Sequence, residues 1–341
     1  MTTATDFAKY LSRFLSEYLP HERNMSKNTG ISYRDTFVQF IDFMKNVRNI
    51  SVNQLKLKHL TRDSVTSFLQ WTMDVRHCSA ATRNYRLAAI RSFVSYLQYI
   101  VVDRSEEWQR ILSLKAMKSE VKALNYLSTE GIKLLLEQPD TTTWQGRRHL
   151  AILSLMYDTG ARVQEIADLT VDSVRIEHEP YTIRIKGKGN KTRIVPMVKE
   201  QVGILRQYME DNKLNDVNKY GNPLFFNNRH EKITREGISY ILRTYLNMAR
   251  NVSPELIPAR ISCHSIRHSK AMHLLESGVS LVYIRDILGH VSIKTTDIYA
   301  RADSKAKREA LERAYRDLSP TAPCEWEQDK DLKEWLRSYN R

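Results

Sequence analysis

Apolar residues recur every three or four positions through most of the first hundred residues. The pattern runs through "TDFAKYLSRFLSEYL" (5–19), "NTGISYRDTFVQFIDFMKNV" (28–47), "LTRDSVTSFLQWTMDVR" (60–76) and "SAATRNYRLAAIRSFVSYLQYI" (79–100), the spacing of a helix with one buried stripe. Thr61 and Ser79 stand where helix N-caps belong. Four helices with short connections predict a small bundle over residues 1–112. Residues 113–127 have mixed polarity and no clean period, and read as a linker.

Helical spacing returns in "STEGIKLLLEQ" (128–138) and in "RRHLAILSLMYDTG" (147–160), where Gly160 marks the end. The period then changes from near four to two. "SVRIE" (173–177), "YTIRIK" (181–186) and "TRIVPM" (192–197) alternate, are β-branched and are separated by turn residues, which predicts a small antiparallel sheet. Helices are expected again at 199–212, 234–250, 264–277 and 280–288. The expected fold is therefore mainly α with a small antiparallel β-sheet: an N-terminal helical bundle and a second domain over 128–318. After "SPTAP" a tail, 319–341, puts Leu332, Trp335, Leu336 and Tyr339 on one stripe, suited to docking in a groove of a neighbouring protomer.

Composition narrows the class. Of the 341 residues 42% are hydrophobic and 27% charged, ordinary for a globular protein and too apolar for disorder. No run of 18 apolar residues spans a membrane, and the N-terminus has no basic segment followed by an apolar core. Cys78, Cys263 and Cys324 are far apart and odd in number, which fits a reducing compartment and argues against a disulfide framework. A cytoplasmic, nucleoid-associated protein is expected.

Charge says more. The net charge is +14, and both parts of the chain share it: 18 basic and 11 acidic residues in 1–120, 35 and 28 in the rest, a surplus of seven in each. A polyanion gripped from two sides is the natural partner, and nucleic acid is the commonest one. Arg83 and Arg86, three apart on one helix face, are candidates for lining a DNA groove.

Four stretches of the second domain carry the candidate chemistry. "TGARVQEIADL" (159–169) places Arg162 after a glycine-terminated helix and Glu165 three residues on. "IKGKGNKTRIVPM" (185–197) is a lysine- and glycine-rich hairpin. "CHSIRHS" (263–269) holds His264, Arg267 and His268, and "LGHVSIKTTDIYA" (288–300) holds His290 and Tyr299. Singly, each has an ordinary explanation: a surface ion pair, a basic turn, satisfied core histidines, a tyrosine at a helix end. A zinc site from His264, His268 and Cys263 is disfavoured, because position 265 is Ser rather than Glu and Arg267 would repel a dication.

Taken in order, the stretches resemble the tyrosine recombinase (phage integrase) superfamily. Gly160, Arg162 and Glu165 match its G-x-R-x-x-E context; Gly187 to Arg193 match its G-K-G-x-K-x-R hairpin, which puts the family's lysine at Lys188. His264, Arg267 and His268 match H-x-x-R-H; L-G-H gives His290, and Tyr299 follows nine residues later, 32 after Arg267. The likeness is strong over about 128–310, and the N-terminal bundle resembles the family's core-binding, SAM-like domain more loosely. The short N-terminus, with no separate arm-binding domain, points to a Xer-like or transposon-borne type.

The resemblance implies a DNA recombinase acting through a 3′-phosphotyrosyl intermediate and a Holliday junction, in integration, excision, transposition or resolution. Tyr299 would be the nucleophile. Arg162 and Arg267 would clamp the non-bridging oxygens with paired donors that a lysine cannot imitate. His264 and His290 would add donors, and Lys188 would protonate the departing 5′-oxygen. His264 is the expected acceptor of the phenol's proton, with Glu165 and His268 in support. The bond energy is kept in the phosphotyrosine, so no cofactor and no metal is implied. One tyrosine per chain against four strand cuts implies a homotetramer on double-stranded DNA, with room for an accessory DNA-bending protein or a partner recombinase. A type IB topoisomerase and a DNA-binding protein without chemistry remain as alternatives.

Overall fold

In the computed structural model, which describes residues 4–119, 124–290, 292, 295–302 and 332–339, the chain divides into two compact units, residues 1–122 and 123–341. Helices α1 (Asp6–Arg13), α2 (Lys27–Asn46), α3 (Arg62–Asp74) and α4 (Ala80–Gln98) each begin at a hydroxyl residue, Thr5, Ser26, Thr61 and Ser79 in turn. Each hydroxyl accepts an N–H of the first turn. α1 runs on as a π-helical segment, Phe14–Glu22, with Pro20 inside it.

A fifth helix, α5 (Ser105–Leu112), joins the four that the pattern predicts. It buries only Trp108 and Ile111, two inward positions in eight residues, too few to show a period. The bundle's core is aromatic: Phe7, Phe14, Phe37, Phe40, Phe43, Phe68, Phe93 and Trp108 are all buried. Their rings meet edge-on or tilted, Phe37 and Phe93 at 5.1 Å and Phe40 and Phe68 at 5.3 Å, the arrangement the ring quadrupole favours. Trp108 donates its indole N–H to the Val101 carbonyl at 2.9 Å, so its burial strands no donor.

The second unit is built around α7 (Trp144–Thr159), whose stretch Ala151–Met156 is buried all round. α6 (Thr129–Leu136), α9 (Lys199–Asp211), α10 (Arg235–Val252) and α11 (Cys263–Glu276) pack on it or on one another. The sheet has the expected order: β1 (Val174–Arg175), β2 (Thr182–Lys186) and β3 (Thr192–Pro196), all antiparallel. Ile183 and Ile185 of β2 point into the core while Arg184 and Lys186 face out. Three short helices complete the described chain of this unit up to Ala302: α8 (Val163–Ala167), α12 (Leu281–Leu288) and α13 (Asp297–Ala302).

The end of the stretch that the sequence marks as a linker is part of this second unit. Leu127 is fully buried and its N–H donates to Ser269 Oγ at 2.8 Å, while Leu124 and Tyr126 pack against a cluster of Ala271, Met272, Ile284, Leu288 and Tyr299. Of the tail, α14 (Leu332–Ser338) is described, with Leu336 and Tyr339 exposed; the side chains of Leu332 and Trp335 lie outside the described residues, as do residues 303–331 with Cys324. Among the described residues no helix is long and apolar enough to cross a membrane.

Candidate active site

Backbone termini bring the predicted residues together. α7 ends at Gly160, which adopts the left-handed conformation (φ +56°) and turns the chain into α8, so that Arg162 sits at the N-terminus of that helix. Glu165, one turn on and buried, accepts the backbone N–H of Arg162 at 2.9 Å and its guanidinium Nη1 at 2.8 Å. Arg193 of β3 donates at 2.7 Å to Oε2, the same oxygen that takes the Arg162 backbone N–H. Burial alone would raise the Glu165 carboxyl, but the hydrogen bonds from Arg193 and Arg162 outweigh it and hold the group below the ordinary carboxylate range.

Arg267, on α11, is 1% exposed. Its Nη1 donates to the Gly160 carbonyl at 2.8 Å and its Nη2 to Leu288 at 2.7 Å, the carbonyls that end α7 and α12. One guanidinium thus ties together two helix ends whose carbonyls carry partial negative charge. Nε is buried with no partner among the described residues, and each Nη keeps a second hydrogen. Desolvation first, then the neighbouring Arg162, lowers the Arg267 pKa to about 10.

The i,i+4 spacing of His264 and His268 puts both imidazoles on one face of α11, ring centroids 4.3 Å apart. α13 packs on that helix and lays Tyr299 against the second of them: His268 Nδ1 and the phenol oxygen are 3.0 Å apart. Of the two imidazoles it is His268, read from the sequence as support, that meets the phenol, because α13 lands on α11 one turn beyond His264. Tyr299 is completely buried, and desolvation pushes its phenol pKa up against the pull of Arg267 and Arg162.

His290 stacks parallel to the Tyr299 ring, centroids 6.4 Å apart and planes 11° from parallel. Gly289 (φ +65°) ends α12 and aims the next residue back at the site, where His290 Nδ1 lies 3.0 Å from Thr296 Oγ1. Desolvation, reinforced by Arg267, depresses His290 to about 4; desolvation with His264 beside it does the same to His268. His264 is lowered as well, by desolvation and then by Arg267 and Arg162. The imidazoles of His268 and His290 are therefore neutral near pH 7, the form able to accept a proton at one nitrogen and donate one at the other.

Lys188 lies on the β2–β3 turn, Lys188–Asn190, which the Gly187 N–H closes onto the Lys191 carbonyl at 2.7 Å; its side chain lies outside the described residues. Arg162, Lys191, Arg193 and His290 border a cleft of about 430 Å³, roomy enough for a phosphate and its flanking sugars. Cys263 faces Ser239, Sγ to Oγ 3.5 Å, and among the described residues no three His, Cys, Asp or Glu side chains converge as metal ligands.

In the first unit the two predicted groove arginines part company. Arg83 is spent within its own unit, Nη1 donating to the Lys115 carbonyl at 3.3 Å and to Asn84 at 3.2 Å. Arg86 instead borders a cleft of about 400 Å³ with Gln39 and Tyr85. Arg193 and Thr296 stand in the site without having been given a role from the sequence; for Arg193 the available signal was its place at the end of the G-K-G-x-K-x-R hairpin and the glycines at 187 and 289, which leave room for its side chain.

Comparison with known proteins identifies the family. The phage integrase family pattern matches residues 125–306, and that family's N-terminal SAM-like domain matches residues 11–99. The chain belongs to the phage integrase family. It is thereby one of the tyrosine recombinases, which are DNA strand-transferring enzymes. A putative integrase/recombinase y4rC of Sinorhizobium fredii is 32% identical over 91% of this chain and 92% of its own length. Tyrosine recombinase XerC of Herpetosiphon aurantiacus is 32% identical over 86% of this chain and 90% of its own. Two solved structures share the fold. The Tn1549 transposon integrase with transposon right end DNA has a TM-score of 0.67, 16% identity, and coverage of 89% of this chain and 99% of that one. XerH recombinase bound to difH gives 0.64 and 23%, with 88% and 83% covered.

Proposed function

We propose that this chain is a site-specific recombinase that cuts a DNA strand with Tyr299 and rejoins it to a new partner. The phenol oxygen attacks the scissile phosphorus while His268 takes its proton. The bond from phosphorus to the 5′-oxygen breaks, leaving a 3′-phosphotyrosyl ester and a 5′-hydroxyl. Arg162 and Arg267 hold the non-bridging oxygens as charge builds on them, His264 and His290 add donors, and Lys188 supplies the proton to the leaving oxygen. The ester conserves the energy of the broken linkage, so attack by another 5′-hydroxyl restores the backbone without a nucleotide. Glu165 orients Arg162.

The observation that carries this reading is the 3.0 Å approach of a neutral imidazole, His268, to the Tyr299 hydroxyl, within the electrostatic reach of both arginines. A buried phenol must be uncovered before a phosphate can meet it, so DNA binding and a shift of α13 on α11 are coupled. The net charge of +14 supports a duplex as substrate, as do the DNA complexes formed by XerH and the Tn1549 integrase. Two exchanged duplexes need four cuts, which calls for four protomers, a Holliday junction between the two rounds, and the tail from 319 onward to link neighbours.

The test is a labelled duplex recovered from a random library by selection on the protein. A covalent adduct that disappears in Tyr299→Phe is the expected result, with exchanged strands among the products. Relaxed supercoils without exchange would favour the topoisomerase reading, and binding without any adduct would overturn strand transfer.

A further inference from the structure

We propose that Arg193 is a positioning residue for this site, a strut that fixes the β2–β3 hairpin, the Arg162–Glu165 pair and the His290 turn relative to one another. The proposal rests on the strand-transfer reading above and adds a residue that touches no reacting atom.

Three separate segments meet at this one guanidinium. Nη2 donates to Glu165 Oε2 at 2.7 Å, and the other oxygen of that carboxylate takes Arg162 Nη1 at 2.8 Å, so Arg193 and Arg162 share a single anion. Nε donates to the Ile287 carbonyl at 2.8 Å, next to the Leu288 carbonyl held by Arg267. Two arginines thus occupy consecutive carbonyls at the end of α12, immediately before the turn that delivers His290. On its own strand Arg193 pairs with Ile185, two residues before Gly187 and the turn bearing Lys188.

The surroundings are shaped for this side chain. A Cβ at Gly289 would lie 2.9 Å from Arg193 Nη1, and one at Gly187 would lie 3.2 Å from Glu165 Oε1 and 3.5 Å from Arg193 Nη1. Glycine on both sides lets the hairpin and the α12 turn close on the same planar group. The Arg193 side chain is 11% exposed, against 39% for Arg162, so it is the more enclosed of the two and the less accessible to a phosphate. Its fork donates along two directions at fixed geometry, which a lysine ammonium on a flexible stem cannot reproduce.

The test compares wild type with Arg193→Lys, which keeps the charge and loses the fork. The probe is the duplex selected from a random library on the wild-type chain, and circular dichroism and thermal unfolding verify folding. Arg193→Lys is expected to slow single-turnover adduct formation at saturating DNA by about 10²-fold, the effect of a small misplacement of reacting groups, with DNA affinity within about twofold of wild type. Glu165→Gln lowers the same rate, and the Arg193→Lys, Glu165→Gln double variant is slowed by less than the product of the two single effects, because the two residues share one contact. Added guanidinium ion partly restores Arg193→Ala, a readout that keeps the test open if the lysine variant folds poorly. Wild-type rate in folded Arg193→Lys, a loss confined to DNA affinity, fully additive effects or no response to guanidinium would each overturn the strut. No adduct with the wild-type chain would overturn the strand-transfer reading itself.

Discussion

His268 Nδ1 stands 3.0 Å from the phenol oxygen of Tyr299, although 31 residues of chain separate the two. Burial, with His264 alongside, holds His268 down to about 4, so the imidazole is neutral across the range where DNA is handled. His268→Ala should therefore slow adduct formation by about 10²-fold at pH 7, the usual contribution of a positioned base. The deficit should shrink as the pH rises, because hydroxide then ionises the phenol. His264→Ala leaves the phenol contact in place, and its deficit should not depend on pH in that way. Single-turnover rates for both variants from pH 6 to 10 check this; pH recovery in the His264 variant alone would reverse the assignment.

Much of this architecture was legible in the chain, and the reasons are local. Thr61, Ser79 and Gly160 announce helix ends with their own side-chain or backbone chemistry, and the alternation of Ile183, Arg184, Ile185 and Lys186 declares a strand buried on one face. The proposed catalytic residues could be picked out because each sits in a short motif. What could not be read depends on packing between distant segments. In β3, "TRIVP" offers Ile194 as the natural core residue, yet Ile194 is 67% exposed and Arg193 faces inward with Val195. The strand's period of two permits either face; Val195 and Met197 fill the core side, and the buried Glu165 carboxylate gives Arg193, on that same side, its partner. The partner of Tyr299 was hidden similarly: His264 and His268 share a helix face, and the landing point of α13 selects between them.

Acid should weaken the fold through its depressed histidines. His149, His268 and His290 are each held at about 4 against an ordinary 6.5, burial being the first cause in all three; Arg148 adds to it at His149. Unfolded histidines take up protons first as the pH falls. The stabilisation is thus complete above about pH 6.5, is lost down to about pH 4, and changes no further below that. For His149, 7% exposed and 2.9 Å from the Tyr245 hydroxyl, the loss is on the order of 3 kcal/mol over that interval. Thermal unfolding between pH 7 and 4.5 should show a steep decline that His149→Gln flattens; an unchanged slope in that variant would place the acid sensitivity elsewhere.

Gly289 answers for both backbone and site. Its φ of +65° is strained for any residue with a Cβ, and a Cβ there would meet Arg193 at 2.9 Å. Gly278 has a comparable φ of +82° with nothing within 4 Å, which makes it the control. Both alanine variants should lose about 1–2 kcal/mol from the left-handed conformation. Gly289→Ala should lose more, and the folded protein should also cut DNA more slowly, since Arg193 and His290 are displaced together. Equal effects on cleavage in the two variants would show that Arg193 yields without consequence.

Ser269 tests how firmly the entering chain is fixed to the helix that carries the site. The residue is completely buried; its hydroxyl accepts the Leu127 N–H at 2.8 Å and donates to the Ser265 carbonyl at 3.0 Å. Leu127 is itself fully buried, so its N–H cannot turn to water if the acceptor is removed. Ser269→Ala should then cost about 1–3 kcal/mol, the desolvation of an unpaired amide rather than the smaller net value of a hydrogen bond. Because Ser269 follows His268 directly on α11, any play introduced there acts next to the group that faces Tyr299. Urea unfolding supplies the measurement, with a lower midpoint at unchanged slope as the expected result. A midpoint within error of wild type would mean that the amide has found another acceptor and that the anchor contributes nothing to holding α11 in place.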